Sequence, residues 1–177
     1  MEIIIKYLEN SDIYREVVIN GILKAQNHIF IATANVKDMF VEAGEDFISI
    51  VKSFKELCKH GVEIRILHST VPSRNFLDEI RTARMLKTHN FMMRQCIRCH
   101  LKTVIIDGEK VFLGSANFSG AGLGAKRENR RNFELGILSS DIALIDKVTS
   151  FFKMIWNGSF CKDCGRKTNC GIRTDNN

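Results

Sequence analysis

The stretch "CHLKTVIIDGEKVFLGSANFSG", residues 99–120, constrains the fold more than any other part of this 177-residue chain. Two β-rich apolar runs flank Asp107-Gly108, a pair suited to the tight turn of a β-hairpin. With those two residues at the centre of the turn, opposed positions sum to one number, so Ile106 faces Glu109 and His100 faces Ser115. Residues two apart on a strand share a face, so Lys102 joins His100 and Asn117 joins Ser115. Four polar groups thus converge at the open end of an apolar ribbon, and a register shift of two leaves them together. An imidazole, an ammonium, a hydroxyl and an amide suit a phosphate: three donors hold its oxygens, and a ring nitrogen can attack phosphorus. Carboxylates near the hairpin are confined to Asp107 in the turn and Glu109, too few to hold Mg²⁺ in the usual way, so chemistry without a metal is expected.

The rest of the chain alternates in period. Ser11 and Asp12 open a helix expected over 11–26, with Ile13, Val17, Val18 and Ile22 at helical spacing. "HIFIATANV" reads as a strand, 45–61 as a helix stopping at Gly61, and "VEIRILHS" as the next strand. "SRNFLDEIRTARMLKTH" is helical, "FMMRQCIRCHLKTVII" strand-like throughout, "NFELGILS" a strand and "DIALIDKVTSFFKMIW" a final helix. This order predicts an α/β fold, a mixed β-sheet flanked by helices on both faces. With one proline and no low-complexity tract, no linker divides it. A single domain over 1–158 with a Cys-rich tail over 159–177 is expected.

The opening "MEIIIKYLEN" carries Glu2 and Lys6 and lacks the basic, apolar and small-residue regions of a signal peptide. No apolar run approaches the roughly 18–20 residues of a transmembrane helix, so a cytoplasmic location is expected. The net charge of +6 favours a polyanionic partner, nucleic acid or an anionic membrane surface.

His100-x-Lys102-x4-Asp107-x6-Gly114-Ser115-x-Asn117 resembles the HxKx4D signature of the phospholipase D superfamily and its Gly-Ser-x-Asn extension, with no departure in spacing. "HIFIATANV" is similar to the superfamily's opening strand, and Asn132-x-Glu134 to its downstream carboxylate. The resemblance implies that His100 is the nucleophile, forming a phosphohistidine. It further implies that Lys102, Ser115 and Asn117 bind phosphate oxygens, that Asp107 is a hydrogen-bonding support and that Glu134 orients a histidine. Superfamily members pair two motifs, the second histidine protonating the leaving oxygen. This chain has one motif, since His28, His60, His68 and His89 lack a lysine two residues on. It therefore resembles the small bacterial and mitochondrial nuclease-like members that complete their site across a two-fold axis, and a homodimer is expected.

Lys126, Arg127, Arg130 and Arg131 precede Glu134 and could track a phosphate backbone, which favours an endonuclease acting on DNA or RNA. A phospholipase or phosphatidyl transferase is the alternative within the same chemistry, disfavoured because no apolar interfacial helix is evident. A nucleic-acid-binding subunit without turnover is the alternative from another class.

In a reducing compartment, six cysteines read as thiols or metal ligands. The tail presents Cys161-x2-Cys164-x5-Cys170, and Cys96 and Cys99 precede the motif. Residues i and i+3 on an extended strand point to opposite faces, so Cys96 is chosen as fourth ligand and Cys99 is read as a buried thiol, like Cys58. One upstream cysteine with a terminal C-x2-C-x5-C resembles the iron-staple nucleases, whose catalytic fold is unrelated. A 4Fe-4S cluster is favoured over zinc as a structural clasp, and spacing leaves both open.

Overall fold

In the computed structural model, residues 3–44, 46–166 and 170 are described. Among the described residues, nine strands and four α-helices follow one another: β1 (Ile5–Glu9), α1 (Ser11–Ile13), β2 (His28–Thr33), β3 (Phe40–Ala43), β4 (Asp46–Ser49), α2 (Ile50–Lys59), β5 (Glu63–His68), α3 (Arg74–Thr82), β6 (Phe91–Gln95), β7 (Lys102–Ile106), β8 (Lys110–Gly114), β9 (Leu135–Ser139) and α4 (Ile142–Trp156). Seven strands form one mixed sheet in the order β1-β9-β8-β7-β2-β5-β6, and β3 and β4 pair as a separate hairpin. β2, β5 and β6 are parallel, β7 runs antiparallel to β2, and β8, β9 and β1 continue antiparallel.

The two-residue alternation of the strands builds two cores. Ile29 and Ile31 of β2, Ile64 and Ile66 of β5 and Val104 of β7 pack with Val17 from the turn after α1, Phe54 of α2 and Phe76 of α3. Phe30, Ala32, Leu67 and Ile105, the intervening positions, meet Ile145, Phe152 and Trp156 of α4 on the other face. α4 is held there by a ladder of rings: Phe30 stacks on Phe152 at 5.2 Å and Phe152 on Trp156 at 5.7 Å. Arg65 and Arg94 place their guanidinium groups over the Trp156 ring at 5.5 and 5.1 Å. Among the described residues, no helix is long and apolar enough to cross a membrane.

Four local expectations need correction. The helix expected over 11–26 is α1 followed by a π-helical turn (Tyr14–Ile19) and a 3₁₀ turn (Ile22–Lys24). The break falls at Gly21, where a Cβ would lie 2.5 Å from the Val17 carbonyl oxygen and 2.6 Å from Ile106, so the helical backbone lies against the sheet. The helix expected over 45–61 starts at Ile50, because Ser49 caps it through Oγ, accepting from Val51 N at 3.3 Å, and residues before the cap pair as β4. The run "FMMRQCIRCHLKTVII" is two strands, since β6 is the sheet edge and β7 lies beyond β5 and β2. Residues 96–101 therefore carry the chain across the ends of two strands.

The fourth correction is the hairpin register. Ile106 pairs with Lys110 and Thr103 with Leu113, one residue out from the expected pairing. Asp107 and Gly108 take the left-handed φ values (56° and 70°) of a tight turn, and Glu109 N donates to Ile106 O at 3.0 Å. Glu109 is then an extra residue before the ladder begins, a bulge that shifts the count by one.

Asp107 has a further role in this turn. Its carboxylate accepts from the backbone N–H groups of Gln26, Asn27 and His28 at 2.9, 2.7 and 2.9 Å, tying the hairpin tip to the start of β2. Replacing Asp107 with Ala removes these acceptors and places a less tolerant residue at positive φ. A loss of about 1–2 kcal/mol is expected, read as a lower urea midpoint at unchanged slope.

Candidate active site

β7 begins at Lys102 and β8 ends at Gly114, so His100, Ser115 and Asn117 lie just beyond the paired residues. They occupy the sheet edge where β1, β2, β5, β6 and β8 end and β7 and β9 begin. The shifted register means that strand pairing alone does not align Ser115 with Lys102. Loop geometry and side-chain bonds beyond the strands position the group instead.

Ser115 is fixed against β9. Its N–H donates to Leu135 O at 3.0 Å, its Oγ accepts from Leu135 N at 3.2 Å, and its hydroxyl donates to Glu134 Oε2. The approach of β8 and β9 depends on paired glycines, Gly114 and Gly136: a Cβ on Gly114 would lie 2.6 Å from Leu135 O. Glu134 also accepts from Asn132 Nδ2 at 3.0 Å, and its backbone is bonded in both directions to Asn10, N to O at 3.0 Å and N to Oδ1 at 3.3 Å. The carboxylate expected to orient a histidine therefore holds Ser115 within this chain.

Asn117 is oriented by β2 and the turn after it. Its Oδ1 accepts from Asn35 N at 3.3 Å and lies 3.3 Å from Thr33 Oγ1, which itself accepts from Phe118 N at 3.0 Å. With the oxygen so engaged, the Asn117 NH₂ is its remaining donor. Thr33 is the strand partner of Lys102, so Asn117 and Lys102 are linked through one residue. Lys102 Nζ donates to His100 O at 3.2 Å, and the His100 ring is exposed. His100 and Lys102 line a cavity of about 420 Å³ with Lys147 and Phe151 of α4.

Asp107 is not part of this group. It sits at the other end of β7, five residues from Lys102, which is about 17 Å along a strand. The support it provides acts through the β2–β7 pairing. The other four histidines are engaged elsewhere: His68 is buried with Nδ1 2.9 Å from Thr70 O, His60 lies against Glu56 O, His28 packs on Phe30, and the exposed His89 has Nδ1 3.0 Å from Asn90 Oδ1. Burial pushes the His68 and His28 imidazoles below the ordinary histidine pKa.

Lys126, Arg127 and Arg130 are exposed and Arg131 half-buried, on a loop with a 3₁₀ turn at Glu128–Arg130. Among the described residues, none of the four is in an ion pair. Gly122 lets this loop approach the site, since a Cβ there would lie 2.5 Å from Asn117 O. The positioning residues Thr33, Asn35 and Asn10 and the cavity lysine Lys147 escape sequence reasoning. They lie up to 124 residues from their partners, and no spacing rule links them.

Cys96, Cys161, Cys164 and Cys170 line one cavity together with Cys99. Among the described residues, no three His, Cys, Asp or Glu side chains are grouped as a metal site. Cys58 stands apart in α2, where burial pushes its thiol up to about 11.

Residues 18–156 match the family model described as cardiolipin synthase, PLD-like domain. No curated protein matches the chain in sequence. Among solved structures, NucT from Helicobacter pylori is similar at 20% identity and a TM-score of 0.64, over 88% of this chain and 97% of that one. Nuc from Salmonella typhimurium, a phospholipase D family member, is 19% identical with a TM-score of 0.60, over 88% and 95%. TrmBL2, an archaeal chromatin protein described as binding DNA, is 17% identical with a TM-score of 0.53, over 86% of this chain and 52% of that one. These likenesses agree in the fold, and the family match spans most of the sheet and α4: the chain belongs to the phospholipase D-like domain family.

Proposed function

We propose that the chain is a phosphodiesterase that cleaves nucleic acid as a homodimer, with His100 as nucleophile. The observation that carries this reading is an exposed imidazole sharing a cavity with Lys102, beside Ser115 and Asn117, each held by bonds to neighbouring strands. A His100 ring nitrogen attacks phosphorus as the bond to the leaving oxygen breaks, and Lys102 and the Asn117 NH₂ take the charge on the phosphoryl oxygens. The leaving oxygen takes a proton from His100 of the second subunit. That imidazole, now neutral, then accepts a proton from the water that attacks the phosphohistidine, releasing the phosphate end and restoring His100.

The second copy has a surface to dock on. α4 covers only part of its face of the sheet, and on the same face Ile5, Tyr7, Leu135 and Ile137 of β1 and β9 are exposed. This patch adjoins Ser115 and Glu134, so a two-fold partner seated on it would bring a second site close. Ile137→Glu is expected to give folded monomers in sedimentation, with cleavage greatly reduced; an active monomer would refute the shared site.

The four cations of the 126–131 loop favour a polyphosphate backbone as substrate. Replacing Lys126 and Arg127 with Ala should weaken nucleic-acid binding uniformly across sequences and lower the salt slope by about two. Phospholipid is the second reading, favoured by Phe133, 98% exposed beside Glu134.

The deciding experiment is cleavage of single- and double-stranded DNA and RNA, and of phospholipid vesicles, after brief EDTA treatment and without added metal. Cleavage of nucleic acid is expected, falling about 10³-fold or more in His100→Ala. Cleavage of lipid alone selects the phospholipase or phosphatidyl-transfer reading. Nucleic-acid binding with no turnover in either chain selects the non-catalytic subunit.

A further inference from the structure

Five of the six cysteines line a single cavity of about 260 Å³ between the tail, the end of α4 and the turn before His100. We propose that this cavity is a four-thiolate site for a soft cation, Zn²⁺ or an iron-sulfur cluster, with Cys96, Cys161, Cys164 and Cys170 as ligands. All these cysteines are free thiols, brought together from positions up to 74 residues apart in sequence. Hydrophobic packing does not account for the grouping, because four of the five are only half-buried while Cys58, the sixth, is buried alone in α2.

Two backbone turns prepare the ligands. Cys164 N donates to Cys161 O at 3.3 Å, and Cys99 N to Cys96 O at 2.8 Å. Each closes a Cys-x2-Cys segment into a turn, which presents thiols to one side as an extended strand does not. The segment 96–99 is therefore open to the metal, contrary to the geometry on which Cys99 was set aside. Cys99 still differs from its neighbours, being 3% exposed and packed with Phe30, Ala32 and Leu67. Cys170, whose Sγ lies 3.8 Å from Gln95 O, is placed beside Cys96 and completes the set. Arg98 lines the same cavity and supplies a cation next to a site whose four thiolates would carry excess negative charge.

Among the described residues, no three of these thiols are grouped as a metal site in this structure, so binding would pull the tail and the 96–99 turn together. Cys99 immediately precedes His100, so such a clasp would brace the chain at the nucleophile. The site itself does not depend on the phosphodiesterase reading.

The test is metal and sulfide analysis with absorption spectroscopy on the full chain, purified anaerobically, with uptake of Zn²⁺ or of iron and sulfide by the metal-free chain as a second arm. One zinc per chain, or one cluster with thiolate-to-iron absorption, is expected. Cys161→Ser and Cys164→Ser should each abolish it and lower the melting temperature; Cys99→Ala and His100→Ala should keep it. Failure to bind in both arms, or binding unaffected by the two serine variants, overturns the site. Loss in Cys99→Ala overturns this assignment of the four ligands.

Discussion

The pairing of β2 with β7 is the seam on which the rest of the molecule depends. On one side of it the strands are parallel, and on the other they are antiparallel. Five residue pairs hold the seam, and both its ends are tied by side chains bonding to backbone. At one end Asp107 accepts three N–H groups leading into β2. At the other, Thr33 and Asn35 hold Asn117 and the chain beyond β8. One end carries structural polar groups and the other those of the proposed site, although the HxKx4D spacing writes both into a single motif.

That division explains what could be read from the sequence. The fold class was legible because alternation at β2 and β5 fills two cores, and a Val/Ile-rich run of this kind has few alternatives. The Asp107-Gly108 turn was legible because both residues tolerate positive φ. The register was not, because the bulge at Glu109 leaves no compositional mark. Nor was the split between β6 and β7: one unbroken β-rich run crosses from the sheet edge to its middle, and only the strand order reveals it.

The candidate site divides in the same way. The placing of His100, Lys102, Ser115, Asn117 and Glu134 at one end of the sheet was legible from spacing, because the motif lies on one hairpin and the segment before β9. The means of holding them was not. Ser115 is fixed by Glu134, Glu134 by Asn10 and Asn117 by Asn35, all contacts between segments remote in sequence. The hairpin register is one residue out from the expected pairing, yet His100, Lys102, Ser115 and Asn117 still lie at one end of two short strands, where loops rather than ladder geometry set direction.

The open face of β9 and β1 has a consequence for dosage. On the proposed mechanism, a chain that supplies one of the two reacting imidazoles has no complete reaction centre when it is dilute. If the apolar face is closed by a second copy, turnover rises with the square of protein concentration below the dissociation constant and linearly above it. On that reading, abundance acts as the threshold for activity.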